Sequence, residues 1–154
     1  MFRSPKIFFR VLAAAEAVSW TLLIGGMVLR ATHGLDLAVT IGGGIHGFVF
    51  LAYAAAAVIV AANQRLKPGP AAAAIISAVI PYATVPVDIW LNRTGRLDGP
   101  WRVEASTDPR DHTLPQRMLR ILLNHPVAVG AALVIAVAAL FVVLLILGPP
   151  VPKG

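Results

Sequence analysis

Four long apolar blocks constrain this chain more than any other feature of its sequence. They run from about Ile7 to Leu29, Ala38 to Ala62, Ala71 to Leu91 and Val127 to Leu147. At the rise of an α-helix each is long enough to cover roughly 30 Å of hydrocarbon. Composition agrees: 58% of the residues are hydrophobic and 13% charged, where a soluble domain carries roughly 45–50% and about 25%. Membrane β-barrels read as short alternating segments, which these blocks are not. The expectation is an all-α membrane protein with four transmembrane helices. The chain has no cysteine, which excludes a disulfide framework, a thiolate metal site and a cysteine nucleophile.

Arg3, Lys6 and Arg10 lead into the first block, as in a signal peptide. The block is longer than a signal core, contains Glu16 and is followed by no small-residue cleavage site, so it reads as a span. The second block ends in the basic turn Asn63-Gln64-Arg65-Leu66-Lys67-Pro68-Gly69-Pro70, and the third contains Pro81 and Pro86. Asn92 to Pro126 is a polar loop with six arginines, and Gly148-Pro149-Pro150 stops the fourth block. Three segments follow: a three-helix membrane module over 1–93, the Arg-rich loop over 94–126, and the last span with a short tail over 127–154. Within the loop, Leu114, Met118, Ile121 and Leu122 share one helical face, with Arg117 and Arg120 beside it. That stretch reads equally as an interfacial helix or as the lead-in to span four.

With four straight spans, the basic residues divide almost evenly between the two sides. Arg3, Lys6, Arg10, Arg65, Lys67 and Lys153 oppose Arg30 and the six loop arginines. The N-terminal cluster tips the reading to a cytoplasmic N-terminus. The net charge of +6 is spread over membrane edges, which suits anionic headgroups and not nucleic acid.

An ionisable side chain at the centre of a membrane helix costs on the order of 3 kcal/mol, so each one invites a reason. Glu16 lies near mid-depth with Ser19 on roughly the same face. His46 opens a polar notch in block two that continues through Phe50 and Tyr53, and Gly43 and Gly47 form a small-residue pair for close helix packing. Block three carries Ser77, Pro81, Tyr82, Thr84, Pro86 and Asp88. Straight spans would put Arg30, His46, Tyr82 and Asp88 in one half of the membrane, with Glu16 one to two turns deeper. These residues form either a relay or a packing network. Ala128, Ala132 and Ala136 give span four a small-residue face. A bis-histidine haem would need a second buried histidine, and His33, His112 and His125 lie in loops or at edges. His112 with Asp108 and Asp111 reads first as a polar turn. No cofactor and no metal site is expected.

The motifs Glu16-x-x-Ser19, Gly26-Met27-Val28-Leu29-Arg30, His46-Gly47-x-x-Phe50-x-x-Tyr53 and Ile80-Pro81-Tyr82-x-Thr84-x-x-x-Asp88 together resemble the family catalogued as domain of unknown function 3817. Its members are small bacterial integral membrane proteins, typically of three helices. The resemblance covers roughly residues 6 to 93, and it implies a three-helix module with no assigned activity. The loop and the fourth span lie outside it.

Two classes of function stand out. The first is a non-enzymatic accessory or scaffold subunit that packs against other membrane subunits or itself. The second is a small oligomeric proton- or cation-coupled transporter using Glu16 and His46. A lipid- or quinone-directed enzyme using His46 and Asp88 ranks below both, since no HExxH or GxSxG motif is present, and no catalytic residue is assigned.

Overall fold

The computed structural model describes residues 4–147, and all regular secondary structure among them is helical. Among the described residues, helices α1 (Pro5–His33) and α2 (Asp36–Asn63) are long and apolar enough to cross a membrane as single elements, and the bent pair 114–124 and 126–140 adds a third candidate span. Ser4 caps α1, its Oγ accepting a hydrogen bond from the Ile7 amide at 3.3 Å, with Pro5 in the first turn. Gly34 ends it in the left-handed conformation, φ +68°, donating its N–H to Arg30 O at 2.9 Å. With α2 starting at Asp36, so short a connection leaves the helices only an antiparallel arrangement. Arg30 Nε meets Asp36 Oδ1 at 2.9 Å across that turn.

Two glycines set the contact of the pair. A Cβ on Gly26 would lie 2.6 Å from Ala38 O, and one on Gly42 would lie 2.6 Å from Leu22 O. Each helix therefore rests a glycine on the other's backbone. Such closeness maximises dispersion contacts, which matter most in lipid, where burial from water supplies no attraction between helices. The sequence pattern points to Gly43 and Gly47 as a small-residue pair that lets another backbone approach closely. Gly42 takes that role instead: Gly43 makes one ordinary contact with Leu23 and Gly47 has open space around it.

The third apolar block does not form one helix. It breaks into α3 (Pro68–Ile76), a 3-10 turn over Ser77–Val79, and α4 (Thr84–Arg93). Pro81 lacks the amide that would continue a helix, and Tyr82 adopts φ +63°, a left-handed conformation that suits bulky residues poorly. Pro86 sits in the first turn of α4, where proline is tolerated. The Ser77 carbonyl accepts from Ile80 N and the Tyr82 carbonyl from Val85 N, both at 3.3 Å. The break is therefore closed by local turns.

Its two arms run in opposite directions along α1 and α2. The hydroxyl of Tyr53 on α2 donates to Ala74 O of α3 at 3.0 Å and lies 3.0 Å from Ser77 Oγ. At the apex the Tyr82 hydroxyl is 3.3 Å from Thr21 Oγ1 of α1. The chain then descends: Thr84 Oγ1 donates to Ala13 O at 2.9 Å, Arg10 Nε to Asp88 Oδ2 at 3.2 Å, and Lys6 Nζ to Asp98 Oδ1 at 3.1 Å. Partners 21, 13, 10 and 6 trace α1 back to its start. Leu91 and Leu97 accordingly share one core with Phe9, Ala57 and Val60, at what we term the basal end, where α1 begins and α2 ends. The expected co-location of Asp88 with Arg30 therefore does not occur. Asp88 lies basally, while Arg30 lies at the opposite, turn end.

Residues 94–126 fold over the basal end. Asn63 is the anchor, its Nδ2 donating to Pro100 O at 3.2 Å and its Oδ1 accepting from Arg102 N at 2.9 Å. Trp101 packs edge-on against Phe8. Helix α5 (Leu114–Asn124) is tied to the end of α2 by Gln116 Nε2 donating to Ala62 O at 3.3 Å, and α6 (Pro126–Leu147) follows at 91° to it, measured along α6 to Leu140. On α6, Ala128, Ala132 and Ala136 are exposed.

Candidate functional site

Ser19 is the central residue of α1, and around it the helix pair buries its polar groups. Glu16 is 0% exposed and Ser19 1%. The two sit one turn apart on the stripe Phe9, Ala13, Glu16, Ser19 that faces the rest of the protein. The Ser19 hydroxyl lies 2.8 Å from Glu16 O, 3.0 Å from Glu16 Oε2 and 2.9 Å from Nδ1 of His46 on α2. His46 Nδ1 is also 3.8 Å from Glu16 Oε1. The imidazole is held by aromatic neighbours, with Trp20 at 4.3 Å and Phe50 at 6.1 Å between ring centroids. Glu16 Oε1 and Trp20 Nε1 are buried and make no hydrogen bond among the described residues.

This cluster can shift a proton without moving a heavy atom. A hydroxyl has one hydrogen and can donate it once. With Glu16 ionised, Ser19 donates to the carboxylate and His46 donates its Nδ1–H to Ser19 Oγ. With Glu16 protonated, the carboxyl donates to Ser19 Oγ and Ser19 donates to a bare Nδ1. The two states differ by a paired shift along links of 3.0 and 2.9 Å, which converts an imidazolium–carboxylate pair into a neutral imidazole and a carboxylic acid.

The other polar residues named from the sequence lie elsewhere. Tyr53 is fully buried towards the basal end, stacked on Phe9 and bonded to Ala74 and Ser77. Tyr82 marks the hairpin apex. Asp88 joins Arg10 and Asn92 Nδ2, the latter 2.7 Å from Oδ1. Arg30 is spent on Asp36. Only Glu16, Ser19 and His46 come together.

Sequence reasoning missed Trp20, the partner of His46, though its adjacency to Ser19 placed it at the same depth. It also missed Arg65, which bonds both Asp108 and Asp111. The cap's carboxylates thereby serve its fold. Hydrogen bonds from the Ser106 hydroxyl and amide, with Arg65 adding to them, hold Asp111 down to about pKa 2. Asp108 is lowered as well, first by the Arg110 amide and then by Arg65.

Beyond the hairpin apex, the groove between the turn-end halves of α1 and α2 is lined, among the described residues, by these two helices alone. It is shallow, about 270 Å³, and is walled by Thr21, Leu22, Gly25, Leu29, Ile41 and Ile45.

Comparison with known proteins places this architecture. The family model described as "Domain of unknown function (DUF3817)" matches residues 7–93, which takes in α1, α2 and both arms of the broken third block. A curated relative, "Putative membrane protein SCO5905" of Streptomyces coelicolor, is 36% identical over 94 residues. The matched region is 60% of this chain and 11% of that protein, so the chain spans only a small part of the relative's length. No solved structure matches. With more than half of its residues inside the family match, this all-helical membrane protein belongs to the DUF3817 family.

Proposed function

We propose that the chain is a non-enzymatic accessory or scaffold subunit of a larger assembly in a bacterial inner membrane, its basal end cytoplasmic. The observation that carries this reading is the bare, glycine-lined groove at the turn end of the α1–α2 pair. The hairpin covers only the basal half of that pair. Small residues exposed at hydrocarbon depth are what a partner helix needs for close approach. A module of the same kind forming 11% of a much longer membrane protein supports a unit that works attached to other membrane segments.

The basal orientation follows from charge. The hairpin returns the chain to the end where it entered, so Lys6, Arg10, Arg65, Lys67 and the six loop arginines gather there. Arg30 is alone at the turn end and is paired with Asp36. Cations of that number favour the cytoplasmic side.

Gly25→Leu separates partner binding from folding. A Cβ there meets nothing within 4 Å, so the variant should fold normally while losing a stoichiometric partner on purification from native membranes in mild detergent. Recovery of the wild type as a homo-oligomer alone would overturn the subunit reading. A second reading is favoured by the Glu16–Ser19–His46 chain: a small oligomeric carrier moving protons or cations. Flux across proteoliposomes that is lost in Glu16→Gln would support it, and flux that survives that substitution would remove it.

A further inference from the structure

Helix α5 has apolar residues on two of its faces. Leu119 and Leu123 are packed inward and buried. Leu114, Met118 and Ile121, spaced by four and three residues on another face, are 72%, 58% and 62% exposed. Arg117 flanks that face and makes no ion pair among the described residues. Such a surface would be a liability in water, so its surroundings matter.

Two pieces of geometry say where α5 lies. Gln116 fastens it to Ala62, at the very end of α2, the level at which a membrane-crossing α2 leaves the hydrocarbon. The following α6 has 22 apolar residues and turns 91° from α5. A helix with no polar side chain belongs across the bilayer, and a helix at right angles to it then lies in the membrane plane. Charge supplies the third piece. Lys67, Arg93, Arg110 and Arg117 are exposed around the basal end, where the hairpin has brought every loop cation to one side. The paired Arg30 and Asp36 leave the turn end neutral.

We propose that α5 and the exposed basal arginines form a docking surface for anionic phospholipid headgroups. In this arrangement α5 lies in the interface between the cap and the bilayer, Leu114, Met118 and Ile121 dip below the headgroups, and Arg93, Arg110 and Arg117 contact phosphates. The side of the membrane rests on the orientation proposed above; the depth of α5 does not.

The cysteine-free chain makes the test direct. Single cysteines are placed at Thr32, Thr94, Thr107 and Met118, and the full chain is reconstituted in vesicles of phosphatidylcholine with or without phosphatidylglycerol. An aqueous maleimide should label Thr107→Cys quickly and Met118→Cys many-fold more slowly. Spin-labelled phosphatidylglycerol should be immobilised by the protein severalfold in preference to spin-labelled phosphatidylcholine. The triple variant R93Q/R110Q/R117Q should lose that preference. Equal labelling of Met118→Cys and Thr107→Cys, or a preference that survives the triple variant, overturns the proposal. Shielding of Met118→Cys in native membranes but not in pure vesicles would assign the face to a protein partner and also overturn it. Sidedness is a separate readout: Thr94→Cys and Thr32→Cys should label from opposite sides, and labelling from the same side would refute the orientation alone.

Discussion

Adding one methyl group at Gly42 tests the geometry of the whole α1–α2 seam. The Cβ of Gly42→Ala would lie 2.6 Å from Leu22 O, 3.0 Å from Leu22 C and 3.3 Å from Leu23 Cα. All three are backbone atoms of a continuous helix and cannot rotate aside. Restoring ordinary contact requires the helices to part by about 0.8 Å at that point. Overpacking of this kind costs about 1–3 kcal/mol. In water, alanine would recover up to about 1 kcal/mol through helix propensity. In a membrane the separated helices stay helical, so little of that recovery applies. Gly26→Ala strikes the same seam from the other side, against Ala38 O. Once one methyl has opened the seam, the second meets less resistance. The double variant should therefore cost less than the sum of the singles, with a coupling of about 1 kcal/mol. Gly47→Ala, with nothing within 4 Å, should stay within about 0.5 kcal/mol of wild type. The assay is reversible unfolding in mixed detergent micelles, followed by Trp20 emission in a Trp90→Phe, Trp101→Phe background. A neutral Gly42→Ala together with a costly Gly47→Ala would place the seam one residue over and refute the reasoning.

Three further outcomes follow from single contacts. Glu16→Gln keeps the side-chain shape but removes the carboxyl, so it should fold normally and change Trp20 emission at neutral pH through His46, whose ring lies 4.3 Å from the indole; an emission identical to wild type would refute the link. Asp111 titrates near 2 in the fold and at about 3.9 in an unfolded chain. A depressed carboxylate stabilises above its unfolded value, so the cap should keep this contribution at neutral pH and lose it as pH falls from about 4 through 2. Proteolysis of residues 94–113 against pH reads this out, and Asp111→Asn should flatten the profile over that range. Tyr53→Phe removes a bond to Ala74 O but leaves Ser77 Oγ its own 2.9 Å bond to the same carbonyl. It should cost about 1 kcal/mol, with faster maleimide labelling of Ala78→Cys as the sign that α3 has loosened.

The parts of this fold that follow from composition along a straight line are legible in the sequence. Helices α1 and α2 are of that kind. The meeting of Glu16, Ser19 and His46 is legible only in part. Polar groups inside two adjacent apolar helices have few partners but each other, while counting depth along straight spans sets Glu16 about one to two turns from His46. Features that depend on rotation or direction are not legible. Gly42, Gly43 and Gly44 are consecutive, and about 100° of helix rotation separates the glycine that meets Leu22 from its neighbour. Asp88 was expected beside Arg30 because depth was counted along a straight third span. Reversal at Pro81 and Tyr82 carries it to Arg10 instead. Arg65 gave no local sign of its partners, since Asp108 and Asp111 lie over forty residues away.

The near-tie in charge counts was itself a sign of that reversal. It arose from placing the six loop arginines opposite Arg65 and Lys67, which only a straight third span requires. Pro81 marks where the chain turns, but the loop chemistry is the stronger constraint. In Pro81→Ala, straightening the third block would allow the helix bond that proline forbids, a gain of about 3 kcal/mol. Against it stand the bonds of Asp88 to Arg10, Asp98 to Lys6, Asn63 to Pro100 and Arg102, and Arg65 to Asp108 and Asp111. On the orientation proposed above, six arginines would also have to leave the anionic side, at about 1 kcal/mol each near the surface. Pro81→Ala should therefore leave Thr94→Cys reactive on the N-terminal side of the membrane. If that single substitution carries Thr94→Cys to the side of Thr32→Cys, the turn residues and not the charged loop set the topology.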